Sequence, residues 1–213
     1  MIELMKLFLS SIRLPDQDEQ HMLFDHKKEP SVVIIPNAWD PYPNDRRNVE
    51  IANAVDEFKK LGYHTSVLDL AVSSREQRQD ALRSNDFIWV LGGNSFHLNY
   101  YMQHDSFNIM LRSALHDGLV YGGESAGAVV AGPTLHGIEY ADDPHDAPRI
   151  IWDGMGFIDF GIVPHWGMEK YAGILEKVET IMEQYAPRVI RLTNEQAVLV
   201  INDNLTVRGN DEP

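Results

Sequence analysis

One short stretch of the sequence has the residue types and spacing for nucleophilic chemistry. Gly122-Gly123-Glu124-Ser125-Ala126-Gly127-Ala128 follows an apolar run and opens the small-residue stretch AGAVVAG. Gly123 to Gly127 satisfies the pattern G-x-S-x-G, in which a serine sits on a tight turn between a strand and a helix. Such a turn needs neighbours without bulk. The amide that follows the serine, that of Ala126, then points toward the reacting oxygen at the positive end of a helix. A glycine-rich turn that only packs a helix close to a sheet has similar composition; the strand–turn–helix context favours the nucleophile.

A serine hydroxyl needs a general base and further donors to a developing oxyanion. Gly92-Gly93-Asn94-Ser95 ends the preceding apolar run and is the expected source of those donors, with Asn94 or Ser95 also able to cap the next helix. Among nine histidines, His165 stands out because it follows FIDFGIVP, at a strand's carboxyl end and downstream of Ser125. His97 is the second candidate, while His26, His104, His116 and His145 lie in polar or helical settings. The group that orients the imidazole is expected from Asn194-Glu195 in RLTNEQAVLVI, and only Glu195 carries a charge that would stabilise imidazolium. Asp159 and Asp203 are alternatives. Metal and nucleotide motifs (HExxH, an EF-hand loop, a P-loop) do not occur, so no metal and no cofactor is expected.

These residues must be positioned by elements that the hydrophobic pattern outlines. Lys6–Ile12, Ser31–Pro36, His64–Leu70, Asp86–Leu91 and Leu119–Gly122 read as strands. Arg47–Leu61 carries Val49, Ile51, Ala52, Val55, Phe58 and Leu61 at helical spacing, and Gly62 closes it. Ser73–Ser84 and Asn94–Asp117 are the next helices. Later, Phe157–Val163, Lys170–Tyr185 and Val198–Ile201 read as strand, helix and strand, with the polar Glu139–Arg149 as a surface loop. The alternation predicts an α/β fold with a mostly parallel sheet and helices on both faces. Sites in such folds lie outside the carboxyl ends of the strands.

Composition narrows the function classes. The 213 residues suit a single α/β domain, 1–213, and are 44% hydrophobic. Eighteen Lys and Arg against thirty-two Asp and Glu give a net charge of −14, which opposes a nucleic-acid partner. With no cysteine, disulfides, thiolate metal sites and a cysteine nucleophile are excluded. The first apolar run, Leu4 to Ile12, is interrupted by Lys6 and two serines and reads as a buried strand rather than a leader. No run approaches the ~18 apolar residues of a membrane span. A cytoplasmic location with no membrane partner is expected.

Taken in order, KLFLSS, VLGGNSFHL, GGESAGAVVAGP, IVPHW and LTNEQAVLV resemble the dipeptidase E (aspartyl dipeptidase) family of serine peptidases, over nearly the whole chain. That family includes cyanophycinases and has the fold of class I glutamine amidotransferases. The resemblance implies a hydrolase with no cofactor that removes N-terminal residues from short peptides, as monomer or homodimer. It makes Ser125 the nucleophile, His165 the base, and the amides of Gly93 and Ala126 the oxyanion hole. The family's acid falls on Asn194 in an ungapped match, with Glu195 one residue away. The arginine that the family uses after its histidine to pair with an N-terminal aspartate is missing from WGMEKYAGILEKVE. Lys170 and Asn94 are the expected substrate-binding side chains. Lys170 supplies charge without a bidentate fork. An esterase, an amidase, a cyanophycinase-like enzyme and a catalytically silent binding protein are the competing readings.

Overall fold

The computed structural model describes residues 5–25, 27–202 and 204–210; His26 and Asp203 lie outside them. Its central sheet has seven strands: β1 (Lys6–Ser10), β2 (Ser31–Ile35), β3 (His64–Val67), β4 (Phe87–Val90), β5 (Val120–Glu124), β8 (Ala197–Ile201) and β9 (Asn204–Arg208). They lie in the order β3-β2-β4-β5-β1-β8-β9. The first five run parallel, with β1 beside β5, while β8 is antiparallel to β1 and β9 to β8.

Continuous apolar runs such as SVVII cannot leave either face in water, so helices cover both. Successive side chains point to opposite faces. Phe8, Val32, Ile34, Phe87 and Trp89 pack on one side with Leu23 and Phe24 of α1 (Gln17–Phe24) and Ala54 and Phe58 of α2 (Asn44–Lys60). Leu7, Leu9, Val33, Ile35, Ile88 and Val90 pack on the other. There they meet α3 (Arg75–Ser84), α4 (Ser95–Gln103) and α5 (Phe107–His116) through Leu82, Leu98, Met102, Leu111 and Leu115. The first side holds an aromatic cluster in which the Phe58 ring meets Tyr63 at 5.2 Å and Trp89 at 5.4 Å, edge to face. Each such pair adds roughly 0.5–1.5 kcal/mol beyond its area burial.

Several boundaries differ from the pattern-based reading. The expected helix Asn94–Asp117 is two helices, because Asp105 and Ser106 take positive φ (51° and 62°) and turn the chain between α4 and α5. The expected strand Phe157–Val163 shortens to β6 (Gly161–Val163). Lys170–Tyr185 becomes a turn at Glu169–Tyr171, a left-handed Gly173 and then α7 (Ile174–Met182). The pattern missed α1, which a capping box of Asp16 and Glu19 starts, and also β7 (Val189–Arg191) and β9. β6 pairs with β7 alone, in a separate parallel two-stranded sheet. No helix among the described residues is long and apolar enough to cross a membrane.

Candidate active site

Ser125 lies between β5 and the short helix α6 (Ala126–Val129), with φ 48° and ψ −111°. A residue with a side chain adopts that conformation only where its surroundings enforce it, at a cost of about 1–3 kcal/mol. Here the Ser125 amide donates to the Ser10 carbonyl of β1 at 3.0 Å. Close packing does the rest: a side chain on Gly123 would collide with the Gly127 carbonyl, and one on Gly127 with the Val90 carbonyl. The two glycines of the pattern are therefore demanded by backbone contact between β4, β5 and α6.

The chain leaves β6 at Pro164 and turns left-handed at His165, φ 62°. This brings the imidazole across to the main sheet, where Nε2 lies 2.8 Å from Ser125 Oγ. Nδ1 lies 3.0 Å from Asn194 Oδ1. With Nε2 facing the serine hydroxyl as acceptor, the proton belongs on Nδ1 and is donated to Asn194. Burial first, with Lys170 nearby, holds His165 below the usual histidine range, against the opposing effect of its hydrogen bond to Asn194 Oδ1. The ring is thus neutral at pH 7, with Nε2 free to accept the serine proton.

Ser11, one residue beyond β1, holds this arrangement and was not singled out from the sequence. Its Oγ accepts from the His165 backbone amide at 2.8 Å and donates to Asn194 Oδ1 at 3.1 Å. The amide nitrogen of Asn194 faces Met168 Sδ at 3.1 Å, leaving Oδ1 for the histidine and serine. The rule that sites gather at strand carboxyl ends applies to KLFLSS as it does to GGES, and would have marked Ser11.

Of the two candidates beside His165, the structure brings in Asn194 and leaves Glu195 exposed, without a hydrogen bond to the ring. Asp159 is exposed as well. Gly93 (φ 132°) passes so close to Ala38 that any side chain would overlap its carbonyl, and both Gly93 and Ala126 line the cavity above Ser125. Asn94 is used differently from its expected role in binding. It is 1% exposed, caps α4 by accepting from the His97 amide at 2.9 Å, and donates to the Asp143 carbonyl and to Asp146. His97 is also away from the serine. Its Nδ1 donates to the Asp146 carbonyl at 2.8 Å and its Nε2 lies 3.4 Å from Asp40. Lys170 does line the cavity, although its Nζ donates to the Tyr171 hydroxyl at 3.1 Å.

The cavity has a volume of about 600 Å³ and is walled by Trp39, Tyr42 and Tyr171 together with Ile138, Ala141 and Asp142. The last two come from the expected surface loop Glu139–Arg149 and Ile138 directly precedes it; the loop folds back through Asp142, whose carboxylate accepts from the Ser95 amide at 2.9 Å. Burial raises the Asp142 carboxyl above its ordinary range. No group of three or more His, Asp or Glu among the described residues is arranged to hold a metal ion.

Comparison with known proteins places the chain in a family. A model of peptidase family S51 matches residues 9–208. An uncharacterized peptidase of Pasteurella multocida (strain Pm70) is 29% identical over 188 residues, covering 84% of this chain and 86% of that one. Another, from Listeria innocua serovar 6a, is 30% identical over 154 residues, covering 71% and 72%. The fold matches the crystal structure of a Listeria monocytogenes EGD-e protein named for peptidase E, with a TM-score of 0.83, 24% identity, and 97% and 99% of the two chains covered. The chain belongs to peptidase family S51 and is a serine-type peptidase of the dipeptidase E kind.

Proposed function

We propose that this peptidase hydrolyses dipeptides and similarly short peptides through Ser125, His165 and Asn194. The observation that carries the reading is the contact of 2.8 Å between Ser125 Oγ and His165 Nε2 at the floor of a cavity of about 600 Å³. That volume suits a molecule of a few residues.

In this mechanism His165 Nε2 takes the Ser125 proton as Oγ attacks the scissile carbonyl carbon. The negative charge that develops on the carbonyl oxygen is met by the amides of Gly93 and Ala126. His165 then gives its proton to the leaving amine, and an acyl-enzyme remains on Ser125. Water, deprotonated by the same nitrogen, attacks the ester carbonyl and frees the acid. Asn194 and Ser11 keep Nδ1 protonated and the ring aimed at Ser125. The neutral asparagine orients the imidazolium without neutralising it, so this site relies more heavily on the oxyanion donors than an acid-containing one would. An N-terminal aspartate preference is not supported by Lys170, whose ammonium is held on Tyr171.

The test is a mixed dipeptide library read by mass spectrometry, for wild type beside Ser125→Ala. Cleavage that disappears with the serine is expected, and the depleted members name the N-terminal preference. If wild type and variant leave the same library untouched, dipeptides are the wrong substrates, and an ester panel decides between an esterase and a binding protein.

A further inference from the structure

The chain after β6 curls back on the histidine it carries. The Met168 amide donates to the His165 carbonyl at 3.1 Å, and the Tyr171 amide to the Met168 carbonyl at 3.0 Å, around a left-handed Gly167 with φ 85°. This folding stacks the Tyr171 ring on the His165 imidazole, with centroids 5.4 Å apart and planes 22° from parallel. Tyr171 is half-buried and also lines the cavity above Ser125. The base of the site therefore works against an aromatic face.

The charges around the imidazole give that face a task. Among the described residues its nitrogens lie within hydrogen-bond distance of Ser125, Asn194 and Ser11, none of them charged. Lys170 belongs to the same turn as Tyr171, and its charge disfavours imidazolium, as burial does. Glu169 in that turn and Glu195 after Asn194 are exposed. Glu124, Asp142, Arg46, the Tyr42 phenol and Glu50 and Glu57 of α2 also line the cavity, yet the Lys170 charge is the one that moves the His165 titration. Taking the Ser125 proton makes the ring positive where no carboxylate meets it. An aromatic face within about 6 Å of a cation attracts it through the negative face of the π-system, and more strongly where water is kept away.

We propose that Tyr171 is a positioning residue for the reaction: its ring face keeps the imidazole aimed at Ser125 and stabilises the positive charge that His165 gains with the serine proton. This rests on the peptidase reading, in which His165 is the base. An apolar side chain of the same bulk would cover the imidazole equally well, but it would only deepen the penalty of burial. The π-system acts in the opposite direction and favours the charged ring. The same tyrosine holds the Lys170 ammonium, 3.1 Å from its hydroxyl and 4.6 Å from its ring centroid, so two cations share it once imidazolium forms.

The experiment replaces Tyr171 by phenylalanine and by its 3,5-difluoro and 3,4,5-trifluoro analogues, rings of nearly one shape whose faces grow steadily less negative. The His165 titration is followed by NMR in histidine-labelled protein, its signal identified by loss in His165→Gln. Its pKa is expected to fall by about half a pH unit or more from Tyr171→Phe to the trifluoro ring. Over the same pair, kcat/KM for p-nitrophenyl acetate at pH 8 is expected to fall about 2-fold or more. A pKa that stays constant along the series overturns the proposal, because a ring that merely covers His165 serves as well with fluorine as without. A loss complete at Tyr171→Phe, with no further trend, overturns it too and assigns the role to the hydroxyl. A fall in kcat/KM at constant His165 pKa would place Tyr171 on the substrate instead, and would also overturn it. If wild type turns over neither the ester nor the dipeptide library in a Ser125-dependent way, the peptidase reading fails and this inference with it. If turnover is present and the titration is flat, only this inference fails.

Discussion

Asn194 occupies the place where a carboxylate would complete the charges around His165. Its carbonyl oxygen fixes the tautomer but cannot offset the positive ring that forms when the serine proton is taken. His165 is already held below the usual histidine range by burial and by Lys170. The base must be neutral to act, so activity toward an uncharged ester is expected to persist as pH falls to 6.5 and to be lost only below it. In Asn194→Asp the new carboxylate stabilises imidazolium and raises that pKa, so the acid limb of kcat/KM moves up by about one pH unit, while kcat at pH 8 rises by about tenfold or more. A pH–rate profile of wild type and variant checks both. A limb that stays in place would mean that position 194 does not act through the ring. The side chains of Ser125 and His165 were legible because each ends an apolar run. Ser11, one residue past the end of β1, was passed over because the strand-end rule marks every strand alike until the strand's neighbours are known. Asn194 and Glu195 could not be separated, since adjacent residues in a turn differ only in which one the backbone aims inward.

The element that forces Ser125 into its conformation is the packing of β4, β5 and α6, and three glycines allow it. Gly122 faces the rings of Phe87 and Trp89, Gly123 the Gly127 carbonyl, and Gly127 the Val90 carbonyl. Backbone cannot yield as a side chain does. Gly127→Ala is therefore expected to destabilise the fold by roughly 2–3 kcal/mol or more and to abolish activity with it. Gly62, with φ 88° but nothing within 4 Å of an added Cβ, gives the contrast. There Gly62→Ala costs only the backbone strain, about 1 kcal/mol, and leaves activity intact. Urea unfolding of both variants, beside ester hydrolysis, measures the difference. If Gly127→Ala unfolded at the wild-type midpoint, the close approach of α6 to β4 would be wrong. The strands of the parallel core were readable because both faces are buried and their sequences are nearly all apolar. β9, exposed along much of its length, and the three-residue β7 carry no such run.

Across the molecule, the site joins parts that are far apart in sequence and belong to separate sheets. Ser125 comes from the central sheet, His165 from the end of β6 in the small one, and Asn194 from the turn before β8. The polar segment after residue 138 closes one side and is pinned to the start of α4. Asn94 gives two donors to Asp143 and Asp146 there, while also capping the helix. Asn94→Ala removes all three bonds and is expected to cost about 2 kcal/mol of stability. KM for short peptides should rise about 5-fold or more while kcat changes less, because the wall rather than the nucleophile is loosened. Thermal melts and steady-state kinetics on the same preparation check this, and an unchanged KM would show that the segment does not bound the substrate. The interrupted helix between residues 94 and 117 belongs to this scale too. Its composition suits one long helix, and the turn at Asp105 and Ser106 answers to packing of α5 against the sheet, which no local propensity encodes.

The sequence by itself determined the α/β order, the strain-tolerant glycine turn around Ser125, the position of His165 after a strand, and the family motifs that span the chain. These are properties of neighbouring residues: periodicity, side-chain bulk and the local cost of a backbone angle. Only the tertiary structure decided that Asn194 and Ser11 meet the ring, that Asn94 secures a loop, and that Glu50, Glu57 and Glu124 face a common cavity. Those pairings depend on which elements the core brings side by side and which way each turn aims its residues. Contacts across so many residues are set by the burial of all the apolar faces at once, and no single segment carries that information.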